Sequence, residues 1–511
     1  MKKNLLYTTV LLSLAACVNH QESGNPNIIF ILADDLGYGD IASLNEAGKI
    51  QTPNVDRLIA EGVTFTDAHS SSAVSTPTRY GVLTGRYNWR STLKQGVLGV
   101  YHAPLIAEGR TTMPMMLKSC GYETGCFGKW HLGMNFPTAE GQKAKDTPDE
   151  YTLDFSKEIT GGPVDRGFDC FFGVDCPNYP PYCFIEDRHT VGLPSFYYPK
   201  RSQLDSRAGR GLEDWDMTQI LPTVVTKACE FMAEQVKEDT PFFMYLPLTS
   251  PHTPIVPTEM YEGKSGLNLY ADFVMETDHA VGRILEKLDE LGIADNTIVV
   301  FTSDNGCSPQ ANFAQLAEKG HDPSYIFRGM KSDLFEGGHH VPCIVRWPER
   351  VKPHTVGQTV CLTDFYRTFA SIVGYEVKDN EAEDSYDLTS LLYADKESQI
   401  LREATVHHSV NGSFAIRKGN WKLLMAPDSG GWSEPRPQKG NADSLTVQLY
   451  NLENDPSEEQ NVCAEHPEVV NELRALLVKY IKEGRSTPGV AQKNDGPETW
   501  KQIKWIESIK E

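Results

Sequence analysis

Ser75-Thr76-Pro77-Thr78-Arg79, followed at once by Tyr80-Gly81-Val82-Leu83-Thr84-Gly85-Arg86, is the stretch with the greatest chemical reach. A Ser that caps a short helix, with Pro inside the first turn and Arg one turn later, points a hydroxyl and a cation into the field of a helix N-terminus, which favours bound anions. That geometry suits an oxyanion ester. Taken alone, S-x-P-x-R equally fits a capped surface helix.

Five further segments carry polar chemistry. Asp34-Asp35 and Asp304-Asn305 are oxygen donors without His or Cys beside them, a set suited to a hard cation, Ca²⁺ or Mg²⁺, although D-D-x-G or D-N-G alone reads as a turn. Lys129 and His131, in Gly128-Lys129-Trp130-His131-Leu132-Gly133, are two apart, so on an extended segment both point to one side. His252, in Ser250-Pro251-His252-Thr253-Pro254, is of the residue type whose ordinary pKa lies near neutral, as a proton donor to a departing oxygen requires. Lys331 stands shortly before Glu336-Gly337-Gly338.

In full, S-x-P-x-R-x-G-x-L-T-G-R resembles the signature of the type I sulfatases of the alkaline phosphatase superfamily, and the other segments occur in that family's order. The resemblance implies that Ser75 is oxidised to formylglycine, as in the Ser-type branch, by a radical-SAM maturing enzyme working without oxygen. A serine that took up sulfate would remain a stable sulfate ester, whereas a hydrated aldehyde has a second hydroxyl that can expel sulfate. It also implies a metal site of Asp34, Asp35, Asp304, Asn305 and the modified residue 75, with Ca²⁺ favoured over Mg²⁺. Arg79, Lys129 and Lys331 would surround one sulfate, His131 would take the proton as sulfate is expelled, and His252 would be the acid to the sugar oxygen. The family usually reads E-G-G-x-R-V-P where this chain has Glu336-Gly337-Gly338-His339-His340-Val341-Pro342, so no role is carried onto His340.

Arg166 to Gly173, then Asn178-Tyr179-Pro180-Pro181-Tyr182, resembles the loop after the K-x-H motif in N-acetylgalactosamine-6-sulfatases. That implies an exo-acting carbohydrate sulfatase removing the 6-O-sulfate of galactose or N-acetylgalactosamine, with Tyr101, His102, Asn178 and His408 as candidate sugar contacts. Two other readings remain: a phosphomonoester or phosphodiester hydrolase of the same superfamily using unmodified Ser75, and a glycan-capturing lipoprotein with a dead site. The last is poorly supported, because every catalytic position is filled.

These residues need elements to hold them. Asn27 to Leu32, Phe242 to Leu248 and Thr297 to Phe301 are apolar runs of the length of buried parallel strands, Glu123 to Phe127 is a strand-like run, and each ends in one of the polar segments. Between Ala271 and Leu291 apolar residues recur at helical spacing until Gly292. The pattern predicts an α/β fold: a large mixed, mostly parallel sheet flanked by helices, with ligands at the carboxyl ends of the strands. Thr363 to Val373 reads as a helix. Phe414 to Leu424 reads as strand, turn and strand, Leu449 to Leu452 as another strand, and Pro467 to Lys482 as a terminal helix. Residues 27–375 are thus expected to be catalytic and 376–511 a small antiparallel-sheet subdomain.

At 511 residues the chain is long enough for both parts, and its net charge of −21 argues against nucleic acid as a partner. Met1-Lys2-Lys3, an apolar run from Leu5 to Leu14 and Leu14-Ala15-Ala16-Cys17 resemble a bacterial lipobox, cleaved before Cys17, whose lipid would be the membrane contact. Residues 18–26 read as a linker. The expected location is therefore the periplasm or outer surface of a Gram-negative cell. The other ten cysteines show no zinc-site spacing, and Cys126 and Cys343 read as buried free thiols.

Overall fold

The computed structural model describes residues 24–138, 150–394, 399–438 and 446–508. The expected signal peptide, Cys17 and linker residues 18–23 lie outside the described residues.

Ten strands form one sheet in the order His354–Val356, Val63–Phe65, Cys343–Arg346, Thr297–Ser303, Asn27–Ala33, Phe242–Pro247, Glu123–Lys129, Cys170–Val174, Ile185–Glu186 and His189–Thr190. The five central strands, Thr297–Ser303 to Cys170–Val174, are parallel, and antiparallel pairs flank them on both sides. Asn27–Ala33 is apolar throughout because both its faces are buried: Ile28, Phe30 and Leu32 pack on one side, Ile29, Ile31 and Ala33 on the other. Pro53–Glu61, Ile220–Glu238 and Leu269–Leu291 cover the second face, while Ser75–Thr84, Met113–Ser119 and Phe365–Val373 cover the first. The long helix starts two residues before its expected position, where the Asn268 side chain accepts from Ala271 N at 3.0 Å, and ends at Gly292, whose φ is 69°.

Thr405–His408, Phe414–Lys418, Trp421–Leu424 and Gln448–Asn451 form the expected small antiparallel sheet, in chain order. Helix Pro467–Glu483 lies on it through Val470, Leu473, Leu477 and Tyr480. The chain leading to this sheet belongs physically to the larger part, since Leu388, Leu391 and Leu392 bury in the first-face core. Asp384 there accepts from Arg90 at 2.7 and 2.9 Å. All ten cysteines among the described residues are free, Cys126 and Cys343 buried as expected. No helix among the described residues is long and apolar enough to cross a membrane.

Candidate active site

Parallel strands release their carboxyl ends at one edge, and the polar segments meet there. Asn27–Ala33 leads into Asp34 and Asp35, Thr297–Ser303 into Asp304 and Asn305, Phe242–Pro247 into the loop of His252, and Glu123–Lys129 ends on Lys129 itself. Backbone bonds lock the neighbours together, Asp34 N to Ser250 O and Asp304 N to Ala33 O, each at 3.0 Å. Asp35 takes a left-handed φ of 65°, a conformation that Asp tolerates, and its N–H reaches Asp304 Oδ1 at 3.1 Å.

Ser75 is the first residue of its helix and not the cap; Val74 is the cap and makes no side-chain bond. The Ser75 hydroxyl is drawn away by stronger partners. It accepts from Lys129 Nζ at 3.0 Å and Arg79 Nε at 3.2 Å, lies 3.3 Å from Asp34 Oδ1, and touches Asp304 Oδ2. Arg79 Nη2 pairs with Asp304 at 2.7 Å and Asp34 at 3.3 Å, Lys129 Nζ with Asp34 at 2.7 Å, and Lys331 Nζ with Asp35 at 2.7 Å. Asn305 Nδ2 donates to Asp35 Oδ1 at 2.7 Å, leaving its own buried Oδ1 with no hydrogen-bond partner. Three carboxylates, an amide oxygen and three cations thus share one dry volume around a hydroxyl.

Burial raises Asp34, but Lys129, followed by His252, Arg79 and Lys331, outweighs it and holds this carboxyl well below its usual range. Burial and then the Asp34 charge push Asp304 up to about 6. Burial pulls Lys331 down, but Asp35 and Asp34 more than reverse this. His252 is lowered to about 4 by burial and Lys129. Its Nδ1 is 2.6 Å from Thr253 O and its Nε2 is 3.8 Å from Asp35 Oδ2.

His131 departs from the expected alternation. The strand stops at Lys129, and His131 turns to a φ of 53°, so the two side chains share no extended face. Its Nε2 bonds Leu98 O at 2.9 Å, while Nδ1 is buried without a partner. A carbonyl cannot donate, so the proton sits on Nε2 and Nδ1 presents a lone pair. Burial and Lys129 hold the ring neutral, well below its ordinary pKa.

Of the candidate sugar contacts, Asn178 is buried and committed: Nδ2 donates to Asp205 O at 3.0 Å, and Oδ1 accepts from Cys176 Sγ at 3.1 Å. Tyr101 is buried with its ring 5.0 Å from Phe136, and His408 is buried with its ring tilted against Phe414 at 5.2 Å. His102 is partly buried beside Gly99. His340 stacks on Phe327 at 4.0 Å and reaches Glu336 Oε2 and Thr66 O, each at 2.9 Å. Asp205 carries no sequence signal, yet its Oδ2 accepts from Thr253 Oγ1 at 3.1 Å and so braces the residue beside His252. Asp175, also without a motif, is buried with Oδ1 unpartnered, and its backbone oxygen accepts from His131 N at 2.9 Å.

The chain matches the sulfatase family over residues 26–375. It is 35% identical to the N-acetylgalactosamine-6-O-sulfatase of Bacteroides thetaiotaomicron, covering 90% of this chain and 94% of that one. It is 29% identical to human arylsulfatase A, covering 97% and 95%. A solved structure from work on glycosaminoglycan metabolism by Bacteroides thetaiotaomicron superposes with a TM-score of 0.78 at 32% identity, covering 89% of this chain and 99% of that one. With its strand-end site of acids, cations and one buried hydroxyl, the chain belongs to the sulfatase family and is a sulfuric ester hydrolase on the alkaline phosphatase-like fold.

Proposed function

We propose that this enzyme is an exo-acting carbohydrate sulfatase that removes the 6-O-sulfate of galactose or N-acetylgalactosamine, exported and anchored by lipid on Cys17. The observation that carries the reaction is the Ser75 hydroxyl held by Lys129, Arg79 and two carboxylates. The substrate reading rests on the named N-acetylgalactosamine-6-O-sulfatase relative.

The donor set fits a hard cation. Asp34, Asp35 and Asp304 offer only oxygen, and the Asn305 Oδ1 is buried and unpartnered. These residues with Ser75 would hold Ca²⁺, in preference to Mg²⁺, supplying charge against the sulfate oxygens. Oxidation of Ser75 to formylglycine by a maturing enzyme would supply an aldehyde that can both accept and release sulfate.

The chain's own residues do the rest. Lys129, Arg79 and Lys331 grip the ester oxygens from a dry site, where each charge is worth more than in water. His252 commits Nδ1 to Thr253 O, so Nε2 is the nitrogen that hands a proton to the departing sugar oxygen. The negative ester opposes the burial and the Lys129 charge that keep this ring neutral in the free site. His131 Nδ1, bare and buried, is the base that takes a proton from the group at position 75 as sulfate leaves.

The test is a panel of galactose and N-acetylgalactosamine saccharides sulfated at the 2-, 3-, 4- or 6-position, scored for free sulfate, with the mass of the Ser75 peptide measured in parallel. Release from the 6-sulfates and a loss of two hydrogens on Ser75 are expected, and Ser75→Ala abolishes turnover. Cleavage of phosphate esters by protein lacking that mass loss would instead make the enzyme a phosphatase.

A further inference from the structure

A second cluster of ligand-type side chains lies apart from the Ser75 site, where a two-stranded sheet of Ala68–His69 and Val360–Cys361 and the helix Glu336–His339 meet the small C-terminal sheet. His69 comes from strand Ala68–His69, Glu336 and His339 from the short helix Glu336–His339, and His407 from strand Thr405–His408. All four are fully buried, and one ligand atom from each lies within 4.8 Å of the others. His69 Nδ1 and His339 Nδ1 face each other at 3.0 Å.

The outer nitrogens decide what that contact means. His69 Nε2 is 2.8 Å from Asp67 Oδ1, and His339 Nε2 is 3.0 Å from Leu334 O. Neither oxygen carries a hydrogen, so a proton on each of these nitrogens satisfies it, while the Arg417 and Lys422 donors at 3.1 and 3.2 Å from the same nitrogens are taken up by carboxylates. The two inner nitrogens then meet as lone pairs, an arrangement that needs a positive centre between them. An outer N–H tied to a carboxylate or carbonyl is also how metal-binding imidazoles are oriented. His407 adds an independent sign: its ring is buried, stacked on His339 at 3.8 Å, and neither nitrogen has a hydrogen-bond partner. Glu336 supplies the carboxylate, with Oε2 3.9 Å from His69 Nδ1.

Two fixed cations border the cluster, and both are engaged. Lys422 Nζ pairs with Glu336 Oε1 at 2.9 Å and Glu458 Oε1 at 2.8 Å, as well as touching His339 Nε2 at 3.2 Å. Arg417 Nη1 pairs with Asp67 at 2.7 Å and touches His69 Nε2 at 3.1 Å.

We propose that His69, His339, His407 and Glu336 bind one borderline divalent transition metal, Zn²⁺ or its like, as a structural tie between the catalytic part and the C-terminal sheet. Three imidazoles and a carboxylate suit that ion class and not the hard cation of the all-oxygen site. The site is closed, with no open position for substrate, so its work is mechanical.

The test uses full-length, tag-free enzyme produced in medium supplemented with zinc or cobalt and passed through a desalting column. About one equivalent of zinc per chain by mass-spectrometric metal analysis, and a tetrahedral ligand-field spectrum for the cobalt form, are expected. His407→Gln and His69→Gln lose that equivalent, while Asp304→Asn keeps it. Wild-type protein carrying no transition metal under these conditions overturns the proposal and leaves a shared proton between His69 and His339. Full zinc content in soluble His407→Gln and His69→Gln overturns it equally. Because wild-type stoichiometry and spectrum decide the first point alone, a variant that fails to fold does not blunt the test.

Discussion

Lys129→Met isolates one charge in the Ser75 site. The ammonium is fully buried, 3.0 Å from the Ser75 hydroxyl and 2.7 Å from Asp34, and methionine keeps an unbranched side chain, one atom shorter, while removing the charge. A preorganised donor in a water-excluded site is worth about 3 kcal/mol to the transition state, so kcat should fall by about 10²- to 10³-fold. The variant also strips Asp34 of its nearest cation. Arg79 remains at 3.3 Å, so the stability loss should fall at or below the ~3–5 kcal/mol typical of breaking a buried pair. Sulfate release is followed under saturating substrate, with conversion of Ser75 verified by peptide mass, since an unmodified variant would be inactive for another reason. A kcat within about threefold of wild type, with Ser75 converted, refutes the assignment of Lys129 to the reacting group.

Gly128→Ala should destabilise by more than about 3 kcal/mol, because residue 128 has a φ of 130° and a Cβ there would stand 1.9 Å from the Pro247 backbone oxygen. Denaturant midpoints measure it, and a wild-type midpoint contradicts it. Asp175 titrates at about 6, raised from 3.8 by burial, so the folded chain holds a proton that the unfolded chain releases. Its contribution is therefore present below about pH 4 and lost as pH rises through about 6, on the order of 3 kcal/mol in all. Asp175→Asn should flatten the stability difference across that window in chemical denaturation at stepped pH. Stripping with a chelator should abolish turnover, and Ca²⁺ should restore it better than Mg²⁺; equal activity in the stripped enzyme counts against the oxygen cage of Asp34, Asp35, Asp304 and Asn305.

Asp34, Asp35, Lys129, His252, Asp304 and Asn305 were legible because each sits where a buried strand ends, and parallel strands end together. Asp34 and Asp304 needed only that rule. His131 needed more: its ring is turned by a bond to Leu98 O and a left-handed backbone, neither of which G-K-W-H-L-G displays. The Ser75 hydroxyl misled as a cap because local capping competes with partners that arrive from distant segments, Lys129 and Asp304 among them. The His69 cluster was illegible for the same reason. It joins three separate segments, and H-H pairs at 339–340 and 407–408 carry no spacing code.

The charge balance of the site separates binding from turnover. Asp34, Asp35 and Asp304 oppose Arg79, Lys129 and Lys331, so these six groups sum to zero when all are ionised. A divalent cation makes the site doubly positive and a sulfate monoester brings one negative charge back, leaving an excess that favours charge building on the ester oxygens. A phosphate ester, largely dianionic near neutral pH, would satisfy that field at least as well. Electrostatics therefore attracts either anion, and the chemistry at residue 75 decides which one turns over. It follows that protein made without its maturing enzyme should still bind inorganic sulfate, within about threefold of the mature form by calorimetry, while its sulfatase turnover falls by more than about 10³-fold. Parallel loss of sulfate binding would mean that residue 75 builds the anion pocket itself, and that the cations alone do not.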